Sequence, residues 1–188
     1  MNLNRIKTGA DVPNHVNVVV EVPMNSEHPI KYEMDKDSST IFVDRFISTP
    51  MHYPCNYGFI PHTLSEDGDP VDVLVVSDFP VMPGAVIESR PICVLMMEDE
   101  KGKDEKIIAV PVRRLNSVYS ELENKDDIPK HLLNKIIHFF ERYKDLEEGK
   151  WVKVKGFEDV KKAKELIVDG VNRHNKQNTI DIIQDQSV

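Results

Sequence analysis

A small antiparallel β-barrel with helices packed on its outside is the fold this sequence predicts, and three observations predict it. Short strand-like runs fill residues 16 to 112, the apolar period turns helical only after Pro129, and no long linker or internal repeat divides the chain. With 188 residues, 40% of them hydrophobic, the chain suits one domain, expected over residues 1–174. Residues 175–188 are polar apart from three isoleucines and the final Val188 and read as a C-terminal tail, either flexible or docked on a neighbour.

Val16 to Val22 forms the first strand, and Pro23 ends it. Glu21 is its one acidic residue and, taken alone, reads as an exposed edge position. Lys31–Met34 and Ile41–Phe46 read as a hairpin turning at Asp35–Ser39. Lys31 and Glu33 share a face there, and with Arg45 they fit either cross-strand charge pairing or an anion clamp. Residues 49–63, with Pro50, Pro54, Pro61 and Gly58, read as irregular but packed. Tyr53 and Tyr57 within them fit either core aromatics or hydroxyl donors to a ligand.

Val73–Val76 is a buried strand, and others are expected near 85–89, 92–97 and 107–112, with a charged turn over 98–106. After Pro129, Leu132, Leu133, Ile136, Ile137, Phe140 and Tyr143 recur at helical spacing, and Gly149 is the stop. His138 in that helix reads as an interface or core residue. Trp151–Lys155 alternates like a short strand, and 158–173 returns to helix.

Bulk properties exclude several functions. A formal net charge of −8 argues against a nucleic-acid partner, since phosphate contacts need a basic face. The N-terminus lacks a signal peptide's apolar core, and no run approaches the roughly 18 apolar residues of a membrane span. The expectation is a cytoplasmic protein with no membrane partner. Cys55 and Cys93 are too few for a disulfide framework and read as reduced, packed thiols.

The chemistry concentrates in Ser65-Glu66-Asp67-Gly68-Asp69-Pro70-Val71-Asp72, which runs straight into the strand at Val73. Gly68 and Pro70 bend the backbone, so Asp67, Asp69 and Asp72 are free to face one cavity. Two charges about 4 Å apart repel by roughly 1 kcal/mol in water and about 4 at an effective dielectric of 20, which a cation relieves. An EF-hand is excluded, because counting from Asp67 puts Val71 and Asp72 at its fifth and sixth positions and Asp78 at the twelfth. Hard oxygen donors, joined by Asp99 and Asp104 and without a Cys or His cluster, favour Mg²⁺ or Mn²⁺ over zinc. Around them Lys31, Arg45, Lys106 and Lys144 supply cations, and Tyr53, Tyr57 and Tyr143 supply hydroxyls. Acids for metals beside cations for anions suit a metal-bound phosphate substrate. No Gly-rich phosphate loop is present.

These motifs together resemble family I soluble inorganic pyrophosphatases of the bacterial type. The D-x-D-P-x-D loop is Asp67-Gly68-Asp69-Pro70-Val71-Asp72, and it is supported in order by Pro29–Glu33, Val43–Phe46, Tyr53–Gly58 and Phe139–Leu146. Asp99, Asp104 and Lys106 keep the family's spacing. The resemblance implies a five-stranded barrel like that of oligonucleotide-binding domains, and Mg²⁺-dependent hydrolysis of pyrophosphate to two phosphates. It implies activating metals on Asp67, Asp72 and Asp104, further metals helped by Asp99, Glu21 and Glu33, and Asp69 as general base. Lys31, Arg45, Tyr57, Lys106, Tyr143 and Lys144 would grip the phosphates, with Tyr53 nearby. A homohexamer is also implied. Two rival readings are weaker: a binding barrel would need a basic groove with stacked aromatics, and an inert metal module leaves Asp69 and the cations unexplained.

Overall fold

The computed structural model describes residues 2–185, without the side chains of 181–185. In chain order the strands are β1 (Val16–Val22), β2 (Ile30–Asp35), β3 (Thr40–Phe46), β4 (Asn56–Phe59), β5 (Asp72–Val75), β6 (Val86–Asp99), β7 (Gly102–Lys103), β8 (Lys106–Pro111) and β9 (Val152–Glu158). Two helices follow the barrel strands, α1 (Lys130–Arg142) and α2 (Val160–Asp185).

Five strands close a ring in the order β1, β4, β5, β8, β6, and β1 returns to pair with β6. The ring is not antiparallel throughout: β5 runs parallel to β8, with Val73 opposite Ile107. A closed ring with an odd number of strands cannot alternate direction at every seam, so one parallel pair is unavoidable. The hairpin β2–β3 stands apart as its own two-stranded sheet, while β7 and β9 add to the long strand β6.

Both faces of the ring are buried, which is why its strands read as unbroken apolar runs. Along β5, Val73 and Val75 join a core with Val16, Val18, Ile107, Ala109 and, from α2, Ala163 and Ile167. Leu74 joins the other core, with Ile92, Leu95, Ile108 and, from α1, Ile136, Phe139 and Phe140. The two helices therefore take opposite faces of the barrel.

Three features depart from the sequence expectation. Strand β4 lies inside the segment expected to be irregular; Gly58 presses it onto β1, where a Cβ would stand 2.0 Å from the Val19 carbonyl oxygen. The two strands expected around Pro91 are one, β6, since the register shifts between Pro91 and Cys93 and a bulge accommodates a proline that a regular ladder would reject. Helix α2 continues to Asp185, well past the expected end at 173. No glycine or proline follows Gly170 to stop it, and side-chain contacts such as Asn178 to His174 at 3.0 Å support its polar later turns. The tail expected over 175–188 is thus helical as far as Asp185, and residues 186–188 lie outside the described part.

Candidate active site

A cavity of about 440 Å³ opens at one end of the barrel, and all fourteen side chains singled out in the sequence line it. Strand β1 supplies Glu21, the β2–β3 hairpin Lys31, Glu33 and Arg45, and β4 Tyr57. The acidic loop supplies Asp67 and Asp69, the start of β5 Asp72, and the end of β6 Asp99. Asp104 and Lys106 lead into β8, and Tyr143 with Lys144 closes the end of α1.

Two of these walls depend on bulges. The β1–β4 register shifts between Val20 and Val22, so Glu21 is the extra residue. It is 5% exposed, and its Oε1 accepts the Met34 N–H at 2.8 Å, tying the hairpin to the barrel. Burial pushes its carboxyl up to about 7 against the pull of that hydrogen bond, and Asp72 adds to the rise. The second bulge lies between Lys31 and Tyr32, where the partner register passes from Arg45 to Val43 and leaves Asp44 extra. Asp44 then meets Lys31 at 3.1 Å and Arg45 Nε at 3.1 Å. Arg45 also donates to Glu147 at 2.9 Å, yet its Nε makes no hydrogen bond.

The acids converge around a lysine. Lys106, 4% exposed, is ion-paired with both Asp72 and Asp104. Burial alone would lower its pKa, but the two carboxylates hold it well above the usual value, so it is charged. Lys144 is bound to Asp99 at 2.8 Å and reaches Glu100 at 3.4 Å. Lys150 takes Glu100 at 2.6 Å. Burial would raise Glu100, but the Lys150 hydrogen bond, its own main-chain N–H and then the Lys144 charge bring it down to about 2. Asp67 is exposed as a residue, yet its carboxyl faces the crowded cavity and lies above the usual range. Lost solvation is the main cause, opposed by the Asp69 N–H and reinforced by Asp69, Asp72 and Asp104.

On the aromatic side, Tyr53 and Tyr57 pack as core aromatics and also line the cavity. Both are buried, with rings 5.0 Å apart, and Tyr53 stacks on through Phe139 at 4.6 Å to Tyr143 at 5.0 Å from Phe139. Burial holds all three phenols above their ordinary pKa, so each keeps its proton as a donor. They are core aromatics whose walls reach the cavity. Lys106 also stands 5.9 Å over the Tyr57 ring.

Sequence reasoning missed Lys36, Asp44, Glu100, Lys101 and Lys150, which share the cavity. Glu100 meets Lys150 across fifty residues, a contact no local pattern announces. The carboxylate set has the chemistry for a hard divalent ion. Among the described residues, however, no three Asp, Glu, His or Cys groups close on one point, and Lys106 occupies the position between Asp72 and Asp104.

Comparison with known proteins gives this geometry a family. The family model described as inorganic pyrophosphatase matches residues 18–175. This chain belongs to the inorganic pyrophosphatase family. It is 58% identical over 176 residues to the inorganic pyrophosphatase of Rickettsia bellii, covering 94% of this chain and 99% of that one. Among solved structures, one described as an inorganic phosphatase of Anaplasma phagocytophilum matches with a TM-score of 0.88 at 51% identity, covering 90% and 99% of the two chains. The inorganic pyrophosphatase of Coxiella burnetii matches with a TM-score of 0.87 at 46% identity, again over 90% and 99%. The barrel with two helices on opposite faces is therefore the pyrophosphatase fold, and the cavity lies within the span that the family model covers.

Proposed function

We propose that the chain hydrolyses inorganic pyrophosphate to two orthophosphates with Mg²⁺, Mn²⁺ or another divalent metal being a possible substitute. The observation that carries this reading is one cavity in which the D-x-D-P-x-D carboxylates and a ring of lysines, Arg45 and tyrosines face each other.

Asp67, Asp72 and Asp104 would hold the activating Mg²⁺, with Asp72 shared between two ions, and Asp99, Glu21 and Glu33 would assist with those that accompany substrate. The bound metal would supply charge neutralisation at the phosphate oxygens and acidify a water. Asp69 lies on the exposed rim of the acidic loop and takes the proton from the attacking water. Lys31, Arg45, Tyr57 and Tyr143 orient the phosphates, with Tyr53 behind them. Lys106 and Lys144 exchange their carboxylate partners for phosphate oxygens and stabilise the charge on the leaving group.

The protein is proposed to act in the cytoplasm in phosphate metabolism, without nucleic-acid or membrane partners. Among the described residues no helix is long and apolar enough to cross a membrane. It is further proposed to assemble as a homo-oligomer, with the hexamer favoured. His138 is exposed on α1, and Phe46, Phe79 and Met82 are each more than 70% exposed, leaving apolar surface for a second copy to cover. Light scattering on the eluted protein tests this, and a monomer at micromolar concentration would refute it.

Orthophosphate release from pyrophosphate, measured with Mg²⁺ and with excess chelator, tests the activity. Fast release that needs the metal and spares simple phosphomonoesters supports it. No release with any divalent metal would make the barrel a binding module.

A further inference from the structure

The acidic loop carrying Asp67 and Asp69 has no regular structure of its own, and α2 is what holds its stem. Thr63 ties the two legs together: its Oγ1 donates to the Ile60 carbonyl at 2.6 Å and accepts the Val71 N–H at 2.9 Å. Leu64 then gives both of its main-chain groups to a single turn of α2. Its N–H donates to the Gly170 carbonyl at 2.9 Å, and its own carbonyl accepts from Arg173 Nε at 2.7 Å. Two residues earlier, His62, with a φ of 58°, sets its ring 5.4 Å from that of His174. Gly170, Arg173 and His174 share one helical face by spacing.

Gly170 makes this close seat possible. A Cβ there would lie 2.6 Å from Val71 Cγ2 and 3.3 Å from Thr63 Cβ, so any larger residue pushes the helix off both legs of the loop. On the loop's far side the support is thinner, since Lys103 meets Glu66 at 2.9 Å through two exposed side chains. Inside the loop, Ser65 N–H reaches the Asp69 carbonyl at 2.6 Å, so order imposed at Leu64 passes directly to the residues that carry the carboxylates.

The geometry points to Arg173 as a positioning residue that orders the acidic loop before metal and substrate arrive. Arg173 is not among the residues that line the cavity. Its effect is to remove in advance the ordering entropy that metal binding would otherwise have to offset. The assignment rests on the reading that Asp67 and Asp69 bind metal and activate water.

Three substitutions in the full-length protein separate its hydrogen bond from its charge. Arg173→Gln keeps a nitrogen donor at the same bond count from Cα without the charge, Arg173→Lys keeps the charge without that atom, and Arg173→Met keeps neither. Amide hydrogen exchange at Leu64, Ser65 and Gly68 is read in chelator, and Mg²⁺ affinity by calorimetry. Arg173→Met is expected to exchange faster in this loop and to bind Mg²⁺ roughly threefold to tenfold more weakly, the scale of one lost hydrogen bond. Arg173→Gln is expected to stay near wild type and Arg173→Lys to fall between. Gly170→Ala, which changes no donor, should weaken Mg²⁺ binding in the same direction. The proposal is overturned if Arg173→Gln is as impaired as Arg173→Met, or if Arg173→Met leaves exchange and affinity unchanged. Both readouts are independent of turnover, so a wild type inert toward pyrophosphate would strike the proposed activity while exchange still decides on Arg173.

Discussion

Asp69 and Glu21 are both acids of one cavity, and their surroundings give them different work. The main chain of Asp69 holds the loop, its N–H donating to Asp67 at 3.0 Å and its carbonyl accepting from Ser65, and the proposed function uses its carboxyl as the general base. Asp69→Asn is therefore expected to keep the wild-type melting temperature and to lose about 10²–10⁴-fold in turnover, the usual contribution of a general base. Turnover within a few-fold of wild type would remove Asp69 from that role. Glu21 is buried, and its folded pKa of about 7 lies above the ordinary carboxyl value of 4.5. Between those values the folded protein binds the proton more tightly than the unfolded chain. Stability without metal is therefore highest below about pH 4.5, as far as this group is concerned, and falls as pH rises toward 7. The full effect is on the order of 3 kcal/mol. Glu21→Gln keeps the acceptor for the Met34 N–H and removes the charge, so its urea midpoint in chelator should fall less between pH 5 and 8 than that of wild type. Parallel curves would show that Glu21 is not the group responsible.

At the scale of elements, the barrel depends on how closely β4 lies on β1, and Gly58 sets that distance. An added Cβ would meet main-chain atoms of Val19 at 2.0 and 2.8 Å, which cannot rotate aside. Gly58→Ala is expected to lower unfolding free energy by about 3 kcal/mol or more, read from chemical denaturation. A loss below about 1 kcal/mol would mean that the two strands separate without penalty. The same seam shows what the sequence could and could not disclose. Strands β1, β5 and β8 were legible because both of their faces are buried and they read as apolar runs, helix α1 because its apolar residues recur at helical spacing, and the residues that share the cavity because their motif order is specific. Strand β4 was not legible, since its four residues, Asn56 to Phe59, follow Pro54 and lack alternation. The inward turn of Glu21 and Asp44 was hidden as well, because a bulge breaks the two-residue period from which facing is read. The later turns of α2 carry almost no apolar stripe, so their composition resembled a tail.

For the whole molecule, the site is a concentration of acids in a chain of net charge −8, and its stability without metal depends on internal cations. Lys106 stands between Asp72 and Asp104 where a divalent ion would relieve the same repulsion. On the proposed assignment, Mg²⁺ held by Asp72 and Asp104 would replace one cation by another and leave the lysine for an anionic ligand, so its stabilising effect should follow simple linkage. At a concentration a hundred times the dissociation constant it contributes about 2.7 kcal/mol, or a rise of roughly 5–10 °C in Tm for a chain of this size. In Lys106→Met the two carboxylates lose their partner. The metal-free Tm should fall, because a buried charge stripped of its partner costs a few kcal/mol, and the Mg²⁺-induced rise should exceed that of wild type. Calorimetric melts of both proteins, in chelator and in Mg²⁺, decide the matter. An equal rise in the two would mean that Lys106 and the metal do not compete for Asp72 and Asp104, and that the lysine keeps its place when the site is loaded.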